Sequence, residues 1–298
     1  MDAVGFTDLL KKKALSLGFD ACGAAQAGVL PAESAHLQQW LATGIPERLA
    51  YMARNVEKRC DVRLLVEGAQ SVFMLLMNYK PATVQRADLP QVAYYAYGED
   101  YHTVIRRKLN VLEETVKAYY PNAQVRGFVD TAPLLEKAWA VKAGLGWIGK
   151  NSLLVSPAFG SFVFLAALVT DVELTYDKPL ESRCGHCTLC VDACPNSALE
   201  APYRLNVRKC ISYQTIEDKA LEVGYTHRYI LGCDSCQLPC PWNKATAAHV
   251  HEDFKPFPEL LSYTAKDWLA LDDTQFNSLF AHSCLQRSGL KKIQKIIR

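Results

Sequence analysis

Eight cysteines between Cys184 and Cys240 limit what this chain can fold into more than any other feature. The first four form Cys184-x2-Cys187-x2-Cys190-x3-Cys194-Pro195. A looser second set is Cys210, then Cys233-x2-Cys236-x3-Cys240-Pro241. In bacterial two-cluster runs three closely spaced thiolates grip one [4Fe–4S] cluster, and the fourth, before proline, ligates the other. By that rule Cys184, Cys187, Cys190 and Cys240 hold one cluster, while Cys194, Cys210, Cys233 and Cys236 hold its partner. Crossed ligation implies two close clusters, hence an electron relay in a redox enzyme. Zinc also takes four thiolates, but it does not explain four cysteines at steps of 3, 3 and 4 before a proline, or a second run ending in Cys-Pro. A disulfide framework suits neither a chain of 298 residues nor one without a signal peptide. The outlying Cys22, Cys60 and Cys284 read as buried small hydrophobes.

Length allows two domains and a substantial core, and half the residues are hydrophobic. No apolar run reaches membrane-spanning length; Ser161 to Val169 is strand-sized. The N-terminal stretch reads as an amphipathic helix with Phe6, Leu9, Leu10, Ala14 and Leu17 inward. It has neither a long apolar core nor a twin-arginine signal, so a cytoplasmic protein without membrane attachment is expected. A net charge of +2 says little about partners, but the last twelve residues, RSGLKKIQKIIR, hold five bases and no acid. They read as a solvated amphipathic helix packing its isoleucines, or as one that also binds phosphates through Lys291, Lys292 and Lys295. Arg106-Arg107-Lys108 forms a second basic cluster.

The pattern along the chain indicates an α+β or α/β region over residues 1–175, a ferredoxin-like module over 176–245 and a helical segment over 246–298. Within the first region Ser71–Tyr79 is a buried strand and Tyr101–Tyr120 a helix ending before Pro121. Val125–Val129 is a short strand, and Leu134–Ala143 a helix opened by Pro133. Strands follow at Ser152–Val155 and Ser161–Thr170. Gly144, Gly146 and Gly149 have dinucleotide-loop spacing but follow a helix, so that fingerprint lacks its context. Asp100-Tyr101-His102 begins a corrinoid-type Asp-x-His-x-x-Gly loop, yet Ile105 stands where glycine is needed. His102 therefore reads as an ordinary helix-start histidine. Asp130, at the end of a strand and before Thr131-Ala132-Pro133, is either an N-cap or an acid. Desolvation in a cofactor cavity would raise its pKa and let it deliver a proton.

Taken together, Tyr97-Gly98-Glu99-Asp100-Tyr101-His102, Val129-Asp130-Thr131-Ala132-Pro133, Glu136-Lys137-Ala138-Trp139-Ala140 and Ala143 through Asn151 resemble the epoxyqueuosine reductases. So do the first cysteine run, Cys210-Ile211-Ser212-Tyr213 with Thr215-Ile216-Glu217, and Cys240-Pro241-Trp242-Asn243. The resemblance covers most of the chain in the family's order. It implies a nitroreductase-like domain binding cobalamin, joined to the two-cluster module and C-terminal helices. It also implies reduction of epoxyqueuosine at the tRNA wobble position to queuosine, with two electrons and two protons, releasing water. The family's catalytic acid falls on Asp130. Cobalamin contacts are expected from Asp130, Asn151, Ser152, Leu154, Ser156, Ser212 and Gln214, and tRNA contacts from Arg106, Arg107, Lys291, Lys292 and Lys295. A monomer served by a low-potential electron donor is expected. Many relatives continue beyond the position of Arg298, so the chain reads as a short or a trimmed member. The competing readings are a reductive dehalogenase-like enzyme, usually exported, and a non-catalytic electron carrier.

Overall fold

A computed structural model describes residues 2–44, 46–218 and 227–298. Its centre is an antiparallel sheet of β1 (Ala21–Gln26), β2 (Ser71–Asn78), β3 (Val125–Phe128) and β4 (Val163–Thr170), in the order β1-β2-β4-β3. The reading of Ser71–Tyr79 as a buried run is met: all eight residues of β2 are buried, because both faces of the strand are covered. One face packs Phe73, Leu75 and Met77 against α1 (Ala3–Ser16) and α2 (Tyr101–Tyr119). The other packs Val72, Met74 and Leu76 against α3 (Glu136–Lys142) and its neighbours. Full burial of one such side chain contributes about 1.5–3 kcal/mol, which is why this alternation dictates the layer structure.

Helix α2 shows how local sequence places later chemistry. The Asp100 carboxylate accepts the His102 amide at 2.9 Å and caps the first turn. Val104, Ile105, Leu109, Leu112 and Val116 repeat at helical spacing and are buried. The helix stops at Tyr119, and Pro121 follows Tyr120. Two expectations are corrected here. The helix placed at Leu134–Ala143 starts only at Glu136, because Thr131 N–H turns back to Val129 and Leu134 N–H to Ala132. The strand Ser152–Val155 shortens to Leu154–Val155, since Ser152 takes a left-handed turn.

The cysteine segment does not stand apart from the sheet. Asn243, only 2% exposed, gives its carbonyl oxygen to Ser161 N–H at 2.6 Å. Its amide donates to Ser161 Oγ and to the Gln237 carbonyl. Gly160, at φ +65°, passes so close that a Cβ there would lie 2.1 Å from Asn243 Oδ1. Trp147 meets Trp242 edge to face at 4.9 Å. A third core joins Val92 and Tyr97 to Leu231 and to Trp268, Phe280 and Ile293 of the C-terminal helices. The hydrophobic interior therefore crosses the boundaries drawn in sequence at 175 and 245. No helix among the described residues is long and apolar enough to cross a membrane.

Candidate active site

Strand β3 delivers Asp130 to the surface, with its side chain half-exposed. The chain leaves the strand through buried Val129 and turns sharply at Asp130, whose φ is +53°. Asp tolerates this left-handed region better than most residues. The side chain does not cap α3; the N-cap there is Leu135, so the capping alternative falls. Instead Tyr101 Oη donates to Asp130 Oδ2 at 2.8 Å, and His102 Nε2 lies 3.1 Å from the same oxygen. His102 Nδ1 is 2.7 Å from Asp100 Oδ1. With a carboxylate at each nitrogen, the ring donates from both and is an imidazolium. The Tyr101 ring is sandwiched between His102, 4.0 Å away, and Phe164, 4.2 Å away and nearly parallel.

The electrostatics follow from this grouping. Burial penalises the His102 charge, but the hydrogen bonds to Asp100 and Asp130 outweigh it and raise its pKa to about 11. The His102 hydrogen bond holds Asp130 below the usual carboxylate range, with burial acting the other way and Tyr101 adding to the lowering. This corrects the expectation of a raised Asp130: desolvation is present, but a cation bonded to the carboxylate overrides it. Burial and the adjacent Asp130 charge push Tyr101 far up, so it stays a donor. A second carboxyl behaves oppositely. Burial raises Glu136 to about 7, the Asp130 charge adds to it, and its Oε1 is buried without a partner. Tyr51, in the 3-10 helix Glu47–Ala53, is raised by burial and then by the charges of Glu217 and Asp130.

His102 and Cys284 are the residues that sequence reasoning undervalued. The Cys284 thiol is 7% exposed, and its sulfur, a carboxylate oxygen of Asp100 and a ring nitrogen of His102 all lie within 4.8 Å of one another. It is brought there by the C-terminal segment, where Asp100 N–H bonds to the His282 carbonyl and Glu99 bridges Ser283. The one available signal was the uninterrupted Asp-Tyr-His at a helix start.

None of the eleven cysteines is joined in a disulfide. Five of them are raised by burial and by neighbouring cysteines. Burial and then Cys240 and Cys184 raise Cys190, while burial and then Cys184 and Cys187 raise Cys240. Burial and Cys194 raise Cys210; burial, Asp234 and Cys210 raise Cys233 to about 11. Cys236 feels burial, Cys233, Asp234 and Cys210, and also Cys190 of the other group. Thiols clustered this way are costly as neighbouring thiolates and are suited to multivalent iron. The loop after Gly149 is tied to both runs: Lys150 Nζ bonds the Gly185 and Cys187 carbonyls, and the Asn151 amide reaches the Cys236 carbonyl.

The other expected contacts are placed unevenly. Leu154 and Ser156 are 2% and 3% exposed, the first within a core and the second bridged to Gly160, so Ser152 and loop backbone are what this stretch offers a ligand. Gln214 is occupied by the Arg208 carbonyl and Asn196, and Ser212 lies in the helix Ile211–Ile216 directly after Cys210. Arg106 bonds the Gly127 carbonyl, Arg107 pairs with Glu99 and Asp253, and Lys108 is held by the Leu17 carbonyl. Lys291 and Lys295 lie on the exposed side of the helix Leu290–Ile297, with Lys292 half-buried.

Comparison with known proteins gives the family. Residues 59–131 match the family described as "Epoxyqueuosine reductase QueG, DUF1730", and residues 183–243 match a "4Fe-4S double cluster binding domain". An epoxyqueuosine reductase of Cellulophaga algicola is 44% identical over 294 residues, 96% of each chain. A crystal structure of an epoxyqueuosine reductase with a tRNA-Tyr epoxyqueuosine-modified stem loop has a TM-score of 0.87 and 31% identity, covering 98% of this chain and 80% of that one. A Bacillus subtilis epoxyqueuosine reductase, with its catalytic aspartate loop swung out of the active site, gives 0.87 and 30% at the same coverage. A catabolic reductive dehalogenase, 15% identical at a TM-score of 0.50, shares the fold alone. The chain is a member of the epoxyqueuosine reductase family.

Proposed function

We infer that this protein reduces the epoxide of epoxyqueuosine in tRNA to the alkene of queuosine, as its family does. The observation that carries the reading is Asp130, fixed between Tyr101 and His102 at the end of a sheet to which the cysteine module is also tied. The reaction breaks both carbon–oxygen bonds of the ring, consumes two electrons and two protons, and releases water.

The residues present fit the implied cofactors. Residues 183–243 resemble a double-cluster domain, in which Cys184, Cys187, Cys190 and Cys240 would hold one [4Fe–4S] cluster and Cys194, Cys210, Cys233 and Cys236 the other. The partnerless Glu136 Oε1 suits the amide fringe of a cobalamin, which Asp130, Ser152 and Ser212 would border, with Asn151 and Gln214 offering backbone because their side chains are engaged elsewhere. When bound, the corrinoid and the clusters supply low-potential electrons, drawn from a donor of that class. The chain supplies one of the two protons, and solvent water supplies the other. His102 stores one at neutral pH, Asp130 and Tyr101 aim it, and the couple protonates the oxygen as negative charge develops there. Substrate RNA meets the basic side chains Arg106, Lys291 and Lys295, whereas burial of Lys292 Nζ and the two ion pairs of Arg107 reduce their part.

The test is anaerobic turnover of epoxyqueuosine-containing tRNA with cobalamin and a strong reductant, wild type against Asp130→Asn. Queuosine is expected from the wild type alone, with iron and corrinoid retained in both. Absence of product from the loaded wild type refutes the activity; full activity in the variant refutes the role of Asp130.

A further inference from the structure

We propose that the cavity behind the Asp130 loop is an oxyanion site for a backbone phosphate of the RNA substrate. This deepens the functional reading above and rests on it. The cavity measures about 390 Å³ and gathers Asn55, Lys58, Arg106, Arg126 and Thr131 against the apolar wall of Leu65 and Phe128. Its three cations come from three separate elements: the helix Val56–Cys60, α2 and β3.

Cations gathered in a concave, partly apolar place repel one another unless an anion joins them. The protein supplies too little of one. Glu113 is 3.7 Å from Arg106, and its Oε1 also accepts the Gly127 N–H. Among the described residues Lys58 and Arg126 have no carboxylate within ion-pair distance, and Arg126 lies over the Phe128 ring at 5.1 Å. Three cations against one carboxylate leave two positive charges in excess. Arg106 is pre-oriented by its bond to the Gly127 carbonyl at 2.8 Å, which leaves further guanidinium N–H groups free for the cavity. Asn55, itself left-handed, does not spend its side chain on capping the helix it precedes.

Position selects RNA over a free small anion. Thr131, Ala132 and Pro133 form one wall of the cavity, and Asp130 is the next residue in the same loop. A polynucleotide that brings a base to Asp130 runs its backbone past this loop. A phosphate seated on the far face braces the loop while its near face holds the acid.

The experiment uses the reconstituted holoprotein, inorganic phosphate, and anticodon stem-loop RNA with and without epoxyqueuosine. Lys58→Gln/Arg126→Gln is expected to weaken unmodified stem-loop binding about tenfold or more at 0.1 M salt and to reduce the slope of log affinity against log salt by about one to two. Arg126→Lys keeps most of the affinity, which separates charge from folding. Inorganic phosphate displaces RNA from the wild type at lower concentration than from the double variant. Wild-type affinity and slope in the double variant overturn the proposal whatever the activity. Phosphate bound by the wild type without competing against RNA overturns the RNA assignment. If the wild type fails to turn over the modified stem-loop while the binding losses stand, the functional reading falls and the phosphate site remains.

Discussion

His102 Nε2 sits 3.1 Å from Asp130 Oδ2, while the opposite nitrogen of the same ring sits 2.7 Å from Asp100. Residues 28 positions apart in sequence thus share one proton store. Asp130 is held as a carboxylate and His102 as its charged partner, so the resting proton is on the imidazole and the aim is set by the carboxylate.

Removing that partner is expected to reverse Asp130. In His102→Gln the cation is gone, burial prevails, and the carboxyl titrates higher, which a difference infrared titration reads. The raised His102 pKa also stabilises the fold: the contribution is complete below the unfolded value of about 6.5 and is lost as pH rises through about 11. Wild type and variant should therefore differ in melting temperature by more at pH 7 than at pH 10. An unchanged difference across that range contradicts the assignment.

Asparagine and alanine at position 130 should not behave alike. Both remove the carboxylate that aims the proton and lower the single-turnover rate on the order of 10²–10⁴-fold. Asn also tolerates the +53° φ and can keep the Tyr101 hydrogen bond, whereas Ala adds about 1–2 kcal/mol of backbone strain. Chemical denaturation should rank Asp130→Asn above Asp130→Ala in stability at equal inactivity.

Glu136→Gln should stabilise the protein above neutrality. Because burial raises this carboxyl to about 7, the stability tied to its neutral form is full below about 4.5 and is lost as pH rises through 7. The variant should gain on the order of 2 kcal/mol over wild type at pH 8 and nearly nothing at pH 4.5. Equal melting curves at pH 8 would show that the carboxyl is better solvated than its burial implies.

The seat of the cysteine module is equally testable. Asn243→Ala leaves Ser161 N–H and the Gln237 carbonyl without their buried partner and should cost about 2–3 kcal/mol. Iron should dissociate faster from this variant than from wild type, while far-ultraviolet dichroism stays the same at low temperature.

Cluster occupancy separates the two thiol groups. Cys184→Ser and Cys210→Ser should each lower iron content by about four atoms per chain after anaerobic reconstitution, and the paired variant by about eight. Loss of all iron from either single variant would mean that the groups do not hold independent clusters.

Much of this was legible before any coordinates. The cysteine run names its metal because ligand spacing over three or four residues is a local property of the chain, and the buried strand Ser71–Asn78 reads from its unbroken apolar run. The tripeptide Asp100-Tyr101-His102 was visible but mute, since a helix-start histidine looks the same with or without a distant carboxylate. The direction of the Asp130 shift is therefore not legible in the sequence. A charge's pKa is set by through-space fields, and the chain position of His102 carries no distance to Asp130. The cavity of Lys58, Arg106 and Arg126 was likewise invisible, with only Arg106 singled out. The sequence by itself determined the electron-carrying chemistry and the family. The tertiary structure decided where the proton rests and where three dispersed cations converge, because closing a sheet between helices sets distances that no spacing along the chain records.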